Sequence, residues 1–147
     1  MPIRPIVKFG DPVLHQPAAP VERIDDAVRA LFDDMIATMY AAPGIGLAAP
    51  QVGVPLRVIV IDLTVGEDPK QVIRLANPEF LGRVVVRGKD PDGQERVYAA
   101  TELLARAFCH EIDHIDGLVF VDRLSPLKRD LMKRKLRKKA REGWEEE

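Results

Sequence analysis

Two histidines four residues apart enclose a glutamate in the stretch His110-Glu111-Ile112-Asp113-His114. This spacing constrains the fold more than any other feature of the chain, because it has a chemical use only on a helix. On a helix, side chains four residues apart project from the same face, so both imidazoles can converge on one metal ion. Glu111 lies one step around the helix, where its carboxylate can act as a general base toward an activated water molecule.

The alternative interpretation is that the motif is an ordinary stretch of helix. Two of the chain's three histidines fall within it, which favours the metal site. Catalytic zinc-type sites use three protein ligands and leave one position open. No histidine follows His114, and Asp116 and Asp122 are poorly spaced carboxylates, so the third ligand must come from elsewhere or be absent. Cys109 points about 100° away from His110 around a helix, which favours a buried structural thiol.

Hydrophobic periodicity predicts a small α+β domain in which antiparallel strands surround the helix that carries the motif. The first 25 residues contain five prolines and are expected to be extended or turning. Helices are predicted from Asp25 to the Ala41–Gly44 run, from about Thr101 to Asp116 with Gly117 as the stop, and over about residues 125–141. Strands are predicted over Arg57–Asp62, Val72–Asn77 with Pro78 as the stop, and in a hairpin of Val84–Arg87 and Gln94–Ala99.

The whole chain is expected to be one cytoplasmic domain, residues 1–147. Its 147 residues are enough for a single core, and its net charge of −1 gives no general attraction to nucleic acid or membrane. The most apolar run, Val58–Leu63, is too short to span a bilayer. One cysteine excludes an intramolecular disulfide, which fits a reducing compartment. No oligomeric state is predicted.

Two longer motifs point to a known family. The stretch Gly44-Ile45-Gly46-Leu47-Ala48-Ala49-Pro50-Gln51 resembles the first motif of peptide deformylases, and the histidine motif resembles their third, including its aspartate. The stretches Val7–Leu14, Asn77–Glu79 and Leu118–Leu124 are also similar to that family. The resemblance extends from about Ile6 to Leu124, with the motifs in the family's order.

The family's middle motif, Glu-Gly-Cys-Leu-Ser, has no counterpart in this chain. In the family, the cysteine of that motif is the third metal ligand. Here Asn77-Pro78-Glu79-Phe80 runs almost directly into Leu81-Gly82-Arg83-Val84. Relative to the family pattern, a segment is missing around Phe80 to Arg83, and the resemblance therefore implies an incomplete set of metal ligands.

The resemblance implies a metal-dependent hydrolase that removes the N-formyl group from formyl-methionine of nascent polypeptides. His110 and His114 would bind the metal, which is typically Fe²⁺, with Zn²⁺ or Ni²⁺ as substitutes. Glu111 would be the general base and acid, and the Gln51 amide would stabilise the oxyanion. The implied substrate-binding residues are Gly44, which allows a tight backbone path, and Ile45 and Gly46, whose backbone groups pair with an extended peptide.

The region Lys128–Arg141 carries nine lysines and arginines. A solvated surface helix is one interpretation, and docking on ribosomal RNA near the peptide exit is another, because phosphate contacts are independent of sequence. The alternative function is a non-catalytic or impaired relative that keeps the fold and binds peptide ends or ribosomes. An unrelated metallopeptidase would leave the glycine motif unexplained.

Overall fold

A computed structural model describes residues 3–8, 10–82 and 85–118, and the basic helix predicted at about residues 125–141 lies outside them. The helices are α1 (Asp26–Ala41) and α2 (Glu102–Ile115). The strands are β1 (Gly46–Ala48), β2 (Val58–Ile61), β3 (Ile73–Phe80), β4 (Val85–Lys89) and β5 (Glu95–Ala99). Short 3-10 turns occur at Pro12–His15, Ala49–Val52 and Pro69–Gln71. No helix in these ranges has the length and apolar character needed to cross a membrane.

All five strands form one antiparallel sheet in which each strand pairs with its neighbour in sequence, in the order β1-β2-β3-β4-β5. The helices precede and follow the strands instead of alternating with them, so the α+β class predicted from the sequence is confirmed. Within the described ranges, β1 and β5 are the edges of the sheet.

Helix α1 begins where an aspartate satisfies one of its first backbone N–H groups. The Asp25 carboxylate accepts a hydrogen bond from Val28 N at 2.9 Å, which is the expected role of an N-cap. The apolar stripe of α1 covers one face of the sheet, and its side chains include Phe32, Met35 and Met39. These three side chains have no solvent-exposed surface, so they lie at the centre of this core.

Strand β2 is apolar at every position because a helix covers each face of the sheet. Successive side chains of a strand point to opposite faces. Val58 and Val60 accordingly belong to the core under α1, whereas Ile59 and Ile61 belong to the core under α2. The α2 side chains in that second core are Ala107, Phe108, Ile112 and Ile115. The continuous apolar run in the sequence therefore reflects burial on both faces.

Strand β3 continues through Pro78, so the prediction that this proline ends the strand is wrong. Asn77 has a φ of +52°, and the pairing register between β3 and β4 shifts at this point, which is the geometry of a bulge. Proline is tolerated at a bulge because no ladder N–H is required there. The Asn77 side chain stabilises the irregular backbone by bonding the N–H and the C=O of Val21, each at 2.8 Å.

The proline-rich N-terminal stretch anchors the end of α2. It is extended as predicted apart from the 3-10 turn at Pro12–His15. Ala18 N donates a hydrogen bond to the Ile115 carbonyl at 2.7 Å. Gly117 ends the helix with a φ of +80°, and an added Cβ would lie 2.6 Å from the carbonyl carbon of Gln16. Glycine is therefore required at this stop by its conformation and by close packing.

Candidate active site

Helix α2 carries the histidine motif, as the spacing predicts. The helix packs against β1 and against the 3-10 turn Ala49–Val52, so the glycine-rich motif lies beside the histidine motif. Gln51 belongs to that turn, so it lies on the side of the sheet against which α2 packs.

The two histidines present the same ring atom to a common point. Their Nε2 atoms lie 3.1 Å apart, and their rings are nearly perpendicular, with an interplanar angle of 86°. His114 is buried and His110 is exposed. The pair therefore forms the rim of a site that opens to solvent on the His110 side.

This geometry fits a divalent transition-metal ion. Two nitrogen ligands of a tetrahedral ion, each about 2.0–2.1 Å from it, lie roughly 3.3 Å apart. The observed separation of 3.1 Å between the Nε2 atoms is close to that value. Ligand-type atoms of His110, Glu111 and His114 all lie within 4.8 Å of one another. No other group of three or more His, Cys, Asp or Glu side chains in residues 3–8, 10–82 and 85–118 is close enough to hold an ion.

Glu111 is buried between α2 and β1, with 3% of its surface exposed. Its side chain lies directly against the α-carbon of Gly46. A Cβ added to Gly46 would lie 2.5 Å from Glu111 Oε2 and 3.0 Å from its Cδ. The sequence predicts a substrate-binding role for Gly46 but not this contact, because nothing in the motif itself indicates which side chain lies against the glycine.

Gln51 is buried and has a fixed orientation. Its side-chain Oε1 accepts a hydrogen bond from the N–H of Ala48 at 2.9 Å, and its backbone carbonyl accepts one from Val7 N at 2.8 Å. Because Oε1 is bonded to β1, the amide NH₂ is the part of the side chain that can donate to another group. The sequence predicted a donor at Gln51 but not the bond that orients it.

The backbone of Gly46 points toward the free edge of β1. The Ile45 carbonyl accepts a hydrogen bond from Asp62 N at 2.8 Å, so this residue forms a hydrogen-bonded pair with the strand beside it. Bonding direction alternates along an antiparallel ladder, so the N–H and C=O of the next residue, Gly46, face away from β2. An extended peptide added at this edge would meet Gly46 first. Peptide contacts at Gly44 and Ile45 remain predictions.

Two carboxylates, one just after the histidine motif and one beside the missing segment, form ion pairs with arginines. Glu79 forms an ion pair with Arg87, and Asp116 forms one with Arg57 at 2.6 Å. Asp122 lies outside the described residues.

Cys109 is exposed, so the prediction of a buried structural thiol is wrong. Its position immediately before His110 places it on the solvent side of α2, away from the core under this helix.

Strands β3 and β4 pair across the position where the family's middle segment would be inserted. Phe80 pairs with Val86, and Leu81 N donates to the Val85 carbonyl at 2.8 Å. The two strands therefore pair as neighbours up to Leu81 and Val85, and the sheet is continuous without the additional segment.

Comparison with known proteins identifies the family and the fold. The family profile described as polypeptide deformylase matches residues 3–83 and 81–130. The chain belongs to the polypeptide deformylase family. The two matches overlap at residues 81–83, which is where the chain is predicted to lack the family's middle motif. The loss of a metal ligand with that segment remains a prediction.

Curated peptide deformylases match nearly the whole chain. The enzyme of Acidobacterium capsulatum is 46% identical over 168 residues, covering 97% of this chain and 99% of the relative. The enzyme of Syntrophobacter fumaroxidans is 44% identical with the same coverage of both chains. Each alignment is longer than the 147 residues of this chain, so the relatives have residues without a counterpart here.

Solved structures of deformylases share the fold. A peptide deformylase from Legionella pneumophila superposes with a TM-score of 0.86 at 38% identity, covering 95% of this chain and 96% of that one. A peptide deformylase from Ehrlichia chaffeensis superposes with a TM-score of 0.84 at 32% identity, covering 96% and 98%. Both are named as deformylases, as are the curated relatives above. These comparisons support the enzyme class and lend no support to a non-catalytic relative.

Proposed function

We propose that this chain is a metal-dependent hydrolase that removes the N-formyl group from formyl-methionine of nascent polypeptides in the cytoplasm. The observation that carries the proposal is the convergence of His110, Glu111 and His114 on one point, with Glu111 packed against Gly46 of the glycine-rich motif. Family membership supports the substrate class.

His110 and His114 would hold the metal through their Nε2 atoms, which are already at a suitable separation. We expect Fe²⁺, with Zn²⁺ or Ni²⁺ as possible replacements, since imidazole ligands suit all three ions. When bound, such an ion acts as a Lewis acid and lowers the pKa of the attacking water toward neutrality.

Glu111 would transfer the proton during the reaction. Its carboxylate takes a proton from the attacking water while the water oxygen forms a bond to the formyl carbon. When the carbon–nitrogen bond breaks, the same carboxyl group gives that proton to the leaving amine. Formate and a peptide with a free methionine amino group are the products. The burial of Glu111 supports this role, because a position away from bulk water protects the transferred proton.

Gln51 and Gly46 would control the substrate. The amide NH₂ of Gln51, oriented by Ala48, is suited to donate a hydrogen bond to the formyl oxygen as negative charge develops on it. The outward-facing backbone of Gly46 would pair with the peptide in the manner of an added strand. Because strand pairing uses only backbone groups, it would accept many nascent sequences.

The direct test is formate release from a formyl-Met-Ala-Ser peptide by the full chain, purified anaerobically and loaded with Fe²⁺. We expect formate from this peptide and no acetate from the acetylated peptide of the same sequence. The matched control is Glu111→Gln, which keeps the size of the side chain and removes the base. Absence of formate from a chain shown to contain metal would contradict the proposal.

A further inference from the structure

We propose that Gly46 is the positioning residue for the general base: its missing side chain leaves the space in which the Glu111 carboxylate is held. This inference rests on the proposed function for its catalytic meaning. The contact between the two residues is independent of that function, and it can be tested separately.

The atoms nearest to the space beside Gly46 all belong to Glu111. The three heavy atoms nearest to an added Cβ are Oε2, Cδ and Cγ of Glu111, at 2.5, 3.0 and 3.2 Å. A methyl group cannot occupy this space unless something moves. Any side chain at position 46 therefore acts first on Glu111.

The backbone conformation of Gly46 does not explain the glycine. Gly53 and Gly117 have φ values of +80°, a region that favours glycine, whereas Gly46 does not have a positive φ. An alanine could therefore adopt the backbone of Gly46 without strain in φ. The reason for glycine at this position is steric, and it concerns the carboxylate.

Glu111 is the part of this contact that would move. Gly46 is paired with Ile61 of β2, and the next two residues of β1, Leu47 and Ala48, are almost fully buried. The strand is therefore fixed by the core on both faces, whereas the end of a glutamate side chain can rotate. A displacement of about 1 Å in a catalytic group can reduce the rate about a hundredfold.

Substitution of Gly46 by alanine separates positioning from peptide pairing. Alanine keeps the backbone N–H and C=O that would pair with the substrate, and it changes only the space used by Glu111. A role in positioning predicts a lower kcat with little change in KM. A role confined to substrate pairing predicts that both constants stay near the values of the unsubstituted chain.

The kinetic experiment compares Gly46→Ala with the unsubstituted chain, both loaded with Fe²⁺. We expect kcat to fall about a hundredfold, KM for formyl-Met-Ala-Ser to change less than about threefold, and metal content to stay the same because both histidines are retained. Gly82→Ala is the matched control, since a Cβ there meets no atom within 4 Å and φ is not positive. An unchanged kcat in Gly46→Ala overturns the proposal, as does a loss of bound metal that accounts for the lower rate.

A stability cycle tests the contact without any activity measurement. We expect Gly46→Ala to lower Tm by several degrees. In a domain of about 100 residues, each kcal/mol of lost stability lowers Tm by about 4–8 °C. In the Glu111→Ala background, where the carboxylate is absent, the same substitution should leave Tm nearly unchanged. Equal Tm losses in both backgrounds overturn the proposal. If the unsubstituted chain releases no formate, the proposed function fails, and this cycle still decides whether Gly46 holds Glu111.

Discussion

At the scale of residues, the candidate site divides its tasks between neighbouring side chains of one helix. In the proposed function, His110 and His114 would hold the ion and Glu111 would transfer the proton. Ligand and base can therefore be separated by substitution, because a ligand affects metal content whereas a base affects only the proton transfer.

We expect Glu111→Ala to keep the fold, to retain metal and to lower formate release below detection. We expect His110→Ala to lose metal as well, since it removes one of the two imidazoles at the site. Circular dichroism, metal per chain and formate release are the three measurements. Full activity of Glu111→Ala on formyl-Met-Ala-Ser would show that the base has been assigned to the wrong residue.

A second buried acid, Asp62, stabilises the fold and is separate from the site. It accepts hydrogen bonds from Tyr40 Oη at 2.5 Å, Thr64 Oγ1 at 2.7 Å and Gly66 N at 2.9 Å. Burial by itself raises the pKa of Asp62, but these hydrogen bonds outweigh that effect and lower the pKa below 3.8. Burial, together with the bond to Asp62, raises the pKa of Tyr40 from 10.0 to about 12.

We expect Tyr40→Phe to lower the free energy of unfolding by about 1–3 kcal/mol at pH 8, because it removes a hydrogen bond to a buried carboxylate. The unsubstituted chain should also lose stability as the pH rises from 10 toward 12. In this window the unfolded tyrosine ionises while the folded one stays protonated, so the contribution of Tyr40 is complete below pH 10 and decreases above it. Urea unfolding of both chains at pH 8 and pH 11 checks this. An equal difference in stability at both pH values would contradict the assignment.

At the scale of elements, the first and last residues of a helix were predicted accurately where a local signal marks them. Helix α1 begins after the Asp25 cap and α2 ends before Gly117, both within a residue or two of the predicted bounds. Strand β1 was not predicted, because three residues within a glycine-rich stretch carry no periodicity. Pairing with β2 makes those residues a strand, and that pairing depends on residues more than ten positions away.

The basic helix predicted at about residues 125–141 is the element proposed to bind the ribosome. We expect deletion of residues 128–147 to weaken ribosome binding at low salt and to leave formate release from a short peptide nearly unchanged. A full-length variant with the nine lysines and arginines replaced by glutamine separates charge from chain length, since phosphate contacts depend on charge. Unaltered affinity for ribosomes after the deletion would exclude a docking role.

At the scale of the whole molecule, the sheet is continuous without the family's middle segment, whereas we expect the proposed metal site to lack one protein ligand. Strands β3 and β4 pair directly with each other, so the sheet does not require the additional residues. Catalytic sites of this type usually have three protein ligands, and the described residues offer two histidines with Glu111 beside them. The fold can therefore be stable even if the metal is held weakly.

We expect the chain to hold metal weakly and to turn over slowly, because two histidines and solvent provide fewer bonds than a three-ligand site. The measurement is bound iron per chain and formate release after anaerobic purification. As a matched comparison, the corresponding segment of the Acidobacterium capsulatum enzyme can be inserted between Phe80 and Val85. We expect the insertion to raise both quantities. One tightly bound ion per unmodified chain would instead indicate that another residue completes the site.

The sequence by itself determined the helix of the histidine motif, the two helix boundaries and the α+β class. These features depend on periodicity and on caps that act within a few residues. The course of β3 through Pro78 and the exposure of Cys109 depended on the tertiary structure. Each of these is set by a partner distant in sequence or by the face that a helix turns to the core. The contact between Gly46 and Glu111 is the clearest case, because 65 positions separate the residues and only the packing of α2 on β1 brings them together.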